Sequence, residues 1–247
     1  KIAKAGGVIH VISDKDSYSK VEDCLPKFIN TIGLQNPSPK TSRSDDEFAK
    51  MLLVKNEKFL PEMEIFTTSS QVGYSSSVMN ASGLGTKETV AEDVLANWLN
   101  GHQLWEKIRM TGGAYGGGCS VNPIRKNFAM RSWRDPTPLK SIKVFEESLK
   151  ELSEITLSQE NVECSIISTY SDSIVVESPS ARGDSALIFY LYGRPSDLIK
   201  EKIGYLLDIT PQDVQNAAKR LYENFKEYLY EQKSSCDWYG CDHSGRK

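Results

Sequence analysis

The residues best suited to chemistry lie in one short run: Leu104-Trp105-Glu106-Lys107-Ile108-Arg109-Met110-Thr111-Gly112-Gly113-Ala114-Tyr115-Gly116-Gly117-Gly118. Arg109 ends a helical stretch, Gly112 and Gly113 let the backbone turn sharply, and Tyr115 starts a strand. The glycines strip side-chain bulk from around Arg109 and Tyr115, which permits close approach of another backbone. The guanidinium could donate to a peptide carbonyl, and the phenol to a developing oxyanion. The same spacing also suits a glycine-rich hairpin with a solvated arginine and a half-buried tyrosine, so spacing alone leaves both readings open. It fits a phosphate cradle poorly. Phosphate loops run from strand to helix, whereas these glycines follow a helix and no Gly-Lys-Ser or Gly-Lys-Thr is present.

Other candidates are weaker. The histidines are His10, His102 and His243, and none begins His-x-x-Glu-His. His102-x-x-x-Glu106 has the wrong spacing and no second histidine. Catalytic zinc needs about three protein ligands, so no catalytic metal site is expected in this chain. Cys236-x-x-x-x-Cys241-x-His243 is loosely spaced for structural zinc and lacks an evident fourth ligand; a plain tail is the simpler reading. Glu146, Glu147 and Glu151 with Lys143 and Lys150 form a solvated helix face with i,i+4 pairing. His102 beside Gly101 reads as a helix-end residue, and Trp98, Trp105 and Trp133 as core or partner-facing aromatics.

The elements that position the run can be read from periodicity. Gly7–Ser13 is apolar and β-branched, which predicts a buried strand. A helix should follow, with Ser19 and Glu22 as a capping box, Val21, Leu25, Phe28, Ile29 and Ile32 on one face, and Gly33 at C′. Pro26 is a blemish that would kink it. The proline- and serine-rich stretch from Leu34 to Asp46 reads as a linker. Met63–Thr68 and Gln71–Met79 read as strands, Val90–Leu99 as a helix, and Phe128–Trp133 as a strand after an Asn122-Pro123 turn. Pro138 opens a further helix, and Thr210-Pro211-Gln212-Asp213 is a helix start with Thr210 as N-cap. Strands first and helices later, without βαβ alternation, predict an α+β fold with an antiparallel sheet and helices on one face.

Composition excludes several classes. The 247 residues carry 33 acids against 30 bases, a formal charge of −3, which argues against a nucleic-acid partner. No apolar run approaches the roughly 20 residues that span a bilayer. The odd count of 5 cysteines points to structural thiols in a reducing compartment. The start lacks both an initiator Met and the apolar core of a signal peptide, so the chain is expected to be a piece of a longer protein.

Arg109-x-x-Gly112-Gly113-Ala114-Tyr115-Gly116, followed by Phe128-Ala129-Met130-Arg131-Ser132-Trp133-Arg134-Asp135-Pro136, resembles the last domain of presequence proteases, in the pitrilysin superfamily of inverted-zincin peptidases. The likeness continues through Thr137-Pro138, Ser178–Gly183, Leu191-Tyr192-Gly193 and Leu207–Val214, and spans about Met63 to Tyr230. It implies one of four homologous α+β domains in a two-half clamshell. The first half binds zinc through His-x-x-Glu-His and a distal Glu and supplies the general base. The last domain contributes an arginine and a tyrosine to the bound peptide, by position Arg109 and Tyr115, with Gly112, Gly113, Ala114 and Gly116 as substrate-binding neighbours. Substrates are implied to be unfolded peptides that add a strand in the other half. A departure is the lack of a strand run after Tyr230.

These readings give a strand–helix end of a preceding domain at 1–33, a linker at 34–60, a substrate-binding α+β domain at 61–232 and a tail at 233–247. The expected partner is the N-terminal zinc-binding half of the same polypeptide, without nucleic acid or membrane. The expected location is intracellular, in a bacterial cytoplasm or an organelle matrix. Alone, the chain is expected to hydrolyse nothing. The alternative is a non-catalytic scaffold or peptide-binding subunit of the same superfamily.

Overall fold

The computed structural model describes residues 7–33, 69–174, 176–191 and 198–236. In chain order the elements are α1 (Lys15–Glu22), α2 (Cys24–Ile32), β1 (Gly73–Asn80), α3 (Lys87–Gly101), a π-helical turn (Trp105–Met110), β2 (Gly116–Asn122), β3 (Asn127–Asp135), α4 (Pro138–Glu154), α5 (Gln159–Ser173), α6 (Pro179–Leu191), α7 (Leu198–Leu207) and α8 (Pro211–Cys236). They fall into two compact units, Lys1–Pro61 with Val176–Pro195 and Glu62–Val175 with Ser196–Lys247.

The first unit corrects two sequence expectations. Residues 7–14 form no strand, because among the described residues no neighbouring strand supplies the ladder that an apolar run needs. The helix starts earlier than Ser19. Asp14 is the N-cap, accepting from the Asp16 and Ser17 amides at 3.0 and 2.9 Å, while Ser19 Oγ donates back to the Lys15 carbonyl at 2.9 Å. The helix then breaks at Asp23, which places Pro26 in the first turn of α2, where its missing N–H costs nothing. Gly33 closes α2 in the left-handed region at φ 64°, as expected of a C′ glycine.

The second unit is α+β. Its strands form an antiparallel sheet in the order β1-β3-β2 among the described residues. Alternation sends Ser75, Met79, Phe128, Met130, Ser132 and Cys119 to a covered face. There α3 packs on β2, and α4 packs on β1, β3 and α8. Phe128, Met130, Phe145, Leu149, Leu95, Leu99 and Leu221 fill the core between them. The opposite face carries Tyr74, Ser76, Val78, Arg131 and Trp133, all exposed. The strand expected at Met63–Thr68 lies outside the described residues.

Local chemistry sets the joints. Asn122 Oδ1 accepts from the Ile124 and Arg125 amides at 3.2 and 3.0 Å and closes the β2–β3 turn. At the start of α8, Thr210 Oγ1 accepts from the Asp213 amide at 3.2 Å and Asp213 Oδ2 accepts from the Thr210 amide at 2.9 Å. Thr210 is the N-cap that the sequence predicts, and the bond back from its amide to Asp213 makes the cap reciprocal. Glu92 on α3 is 1% exposed in its side chain and sits between two elements. It accepts from the Ser82 amide and hydroxyl at 3.0 and 2.8 Å and pairs with Arg220 of α8 at 3.3 Å.

Candidate functional site

The site is built by the chain that leaves α3. The His102 amide and ring Nδ1 both lie near the Trp98 carbonyl, at 3.1 and 2.9 Å. The imidazole stacks on Trp98 with ring centroids 4.8 Å apart. His102 therefore serves as the helix end. The backbone widens next into the π-helical turn, seen in the Thr111 amide bonding the Glu106 carbonyl at 2.9 Å, five residues back. The sequence reading took this stretch for ordinary helix. Trp105 and Arg109, four apart, lie on one side of this turn, and the Arg109 guanidinium lies 4.2 Å above the Trp105 ring.

Gly112 and Gly113 then reverse the chain. A Cβ on Gly112 would lie 2.5 Å from the Ile108 carbonyl oxygen, and Gly113 has φ 76°. The Gly113 and Ala114 amides bond the Arg109 and Ile108 carbonyls at 3.2 and 3.1 Å, and Ala114 is buried in the core. Tyr115 emerges 62% exposed, its amide donating to the Arg134 carbonyl at 3.2 Å. Its ring lies 5.9 Å from the Arg109 guanidinium and 5.4 Å from that of Arg134. The turn thus brings Arg109 and Tyr115 together on one exposed surface, with Gly112, Gly113 and Ala114 as the connection between them.

Two of the next three glycines have a local cause. A Cβ on Gly116 would lie 2.5–2.8 Å from the Trp133 indole, and one on Gly117 would lie 2.8–3.1 Å from Ile108. The protein's own side chains occupy the space that glycine leaves. Beside them lies an open depression of about 310 Å³, lined by Asn100, Gly118, Ser120, Arg131 and Trp133 among others. Asn100 also closes the middle of the β2 edge. Its amide donates to the Cys119 carbonyl at 2.9 Å and its Oδ1 accepts the Cys119 amide at 2.6 Å. Burial pushes the Cys119 thiol well above its ordinary range, so it is an inert core group.

Sequence reasoning missed Asn100, Glu92 and Arg134. The first two are ordinary helix residues by pattern. Arg134 lies in the Trp133-Arg134-Asp135-Pro136 motif, where nothing in the spacing marks it out. No group of three or more His, Cys, Asp or Glu side chains among the described residues could hold a metal, so the described residues do not fit a zinc site. Cys241 and His243 lie outside the described residues, as does the Cys236 side chain.

Comparison with known proteins agrees with the motif. Presequence protease 1, chloroplastic/mitochondrial, of Arabidopsis thaliana is 26% identical over 220 residues, covering 89% of this chain and 19% of that protein. The mitochondrial presequence protease of Schizosaccharomyces pombe is 23% identical over 207 residues, covering 84% and 20%. The chain thus spans about a fifth of the length of these curated relatives. A protease structure from Helicobacter pylori superposes with a TM-score of 0.54 at 13% identity, over 81% of this chain and 50% of that one, a likeness of fold. The model of the PreP C-terminal domain family matches residues 63–232, and the chain belongs to that family.

Proposed function

We propose that the chain is the substrate-binding, non-zinc-binding portion of a zinc metalloendopeptidase that degrades unfolded peptides in a closed chamber. The observation that carries this reading is the pairing of an exposed phenol and a stacked guanidinium on one surface, fixed by a π-helical turn and a left-handed glycine. A scaffold has no need of such a pair. Zinc and the general base belong to the N-terminal half of the same polypeptide. The free thiols at Cys24, Cys119 and Cys164 support a reducing location, a bacterial cytoplasm or an organelle matrix. Among the described residues no helix is long and apolar enough to cross a membrane.

The roles follow from the chemistry of each group. As water adds to the scissile carbonyl, negative charge grows on its oxygen. The Tyr115 hydroxyl donates to that oxygen, and the Arg109 guanidinium donates to a neighbouring peptide carbonyl and fixes register. Trp105 holds the Arg109 plane in place. The backbone of Gly112, Gly113, Ala114 and Gly116 borders the peptide. Both contacts form when the halves close, which couples catalysis to closure.

The test is Tyr115→Phe in the full-length protein. It keeps the ring and deletes one donor, so kcat should fall about 10²–10³-fold with folding and metal content unchanged. Cleavage at the parent rate would sink the assignment.

A further inference from the structure

We propose that Arg134 is a further specificity-determining residue, which binds a carboxylate of the peptide held against Tyr115. The inference rests on the reading of Arg109 and Tyr115 as substrate-facing.

The backbone is the first argument. β1 pairs Tyr74 with Trp133 but Gly73 with Asp135, so Arg134 is the extra residue of a β-bulge. It sits in the left-handed region at φ 48°, where glycine is usual and a branched or long side chain is strained. Neighbours pin it there. Its carbonyl accepts from the Tyr115 amide at 3.2 Å. Asp135, buried, accepts from the Thr137 amide at 2.8 Å and the Ser141 hydroxyl at 2.5 Å and locks the following residue to α4. A bulge re-aims a side chain, and this one brings the guanidinium to 5.4 Å from the Tyr115 ring.

Charge is the second argument. Ion pairs among the described residues join Lys87 to Asp213, Lys107 to Glu151, Lys202 to Asp93 and Arg220 to Glu92. None of these involves Arg109, Arg131 or Arg134. Two guanidiniums thus flank an exposed phenol without an ion-pair partner among the described residues, and Arg131 lines the depression beside Trp133. A guanidinium fork is matched to a carboxylate in shape and charge. An acidic side chain or the C-terminal carboxylate of a peptide supplies that group.

The experiment uses the 247-residue chain and three probes. They are acetyl-Ala-Ala-Phe-Ala-Ala amide, the same peptide with a free C-terminal acid, and acetyl-Ala-Asp-Phe-Ala-Ala amide. Binding is followed by NMR at the arginine Nε–H and indole N–H groups. A carboxylate probe should bind about fivefold more tightly than the first peptide, shift the Arg134 signal, and weaken with salt. Arg134→Ala should abolish the preference for a carboxylate probe. Preference for the free acid alone identifies a C-terminal carboxylate, and preference for the aspartyl peptide alone identifies a side chain. Equal binding of all three, or a preference that survives Arg134→Ala, overturns the carboxylate role and leaves the roles of Arg109 and Tyr115 standing. If no probe perturbs Arg109 or Trp105, the substrate-facing reading falls, and the carboxylate site with it.

Discussion

The two faces of the small sheet are made of the same three strands, yet they do different work. One face presents Met79, Phe128, Met130 and Cys119 to α3 and α4 and holds the fold. The other presents Tyr74, Val78, Arg131 and Trp133 without cover from the described helices of its unit, and Tyr74 is 71% exposed. Period-two alternation assigns every strand residue to one role or the other. A surface that is already folded can therefore carry aromatic and cationic groups at little expense to stability, because its backbone is paid for on the reverse side. The difference predicts that substitutions on the two faces have effects of different size.

The largest effect is expected for Phe128→Ala. The ring is fully buried, so its loss should cost about 3–5 kcal/mol in chemical denaturation. Val78→Ser, one register step away on the exposed face, should change stability by no more than about 0.5 kcal/mol. Equal losses would mean that the exposed face is covered after all, and the comparison would break.

Asn100 lies at the boundary between the faces and should give an intermediate effect. Its side chain makes two hydrogen bonds to Cys119, standing in for a neighbouring strand. Asn100→Ala leaves a part-buried amide and carbonyl without these partners, at a cost of about 1–3 kcal/mol. The bared edge should also promote association at high protein concentration, since unpaired strand edges template pairing. A variant that melts with the parent and stays at the parent's sedimentation coefficient would show that Asn100 is incidental.

Legibility in the sequence follows how local each cause is. The α8 start was readable because Thr210, Pro211 and Asp213 act within one turn, and the same holds for Gly33 at the end of α2. The nearness of Arg109 and Tyr115 was readable because only five residues join them, whereas the roles given to them rest on the family resemblance. Three features were not readable. The run at 7–13 has strand composition, but a strand needs a partner that composition cannot supply. The widened turn at Trp105–Met110 leaves no mark on apolar spacing. Arg134 in a left-handed bulge depends on Tyr115, Asp135 and the register of two strands at once. The glycines show both sides: their bareness was visible, but its filling by Trp133 and Ile108 was not.

A smaller loss than that of Phe128→Ala concerns the helices that cover the sheet. Asp213 caps α8, accepting from the Thr210 amide and hydroxyl at 2.9 and 2.7 Å and from Lys87 of α3 at 2.9 Å. Burial alone would raise its carboxyl, but the bonds from Thr210 and Lys87 outweigh burial and hold it below its ordinary value of 3.8. A carboxyl depressed in the folded state stabilises the fold above its unfolded value, and that contribution fades as pH falls through the folded value. Asp213→Asn removes the charge while keeping one acceptor. It should cost about 1 kcal/mol at pH 6, discounted for a side chain still 28% exposed. The gap between variant and parent should narrow as pH drops below about 3.8. Denaturant titrations at pH 6, 4 and 3 measure it. A gap that holds constant across that range would mean that shape and not charge carries the cap. Peptide-probe binding at the Arg109 surface should be unchanged in this variant at pH 6, because the cap acts only on the helices behind the sheet.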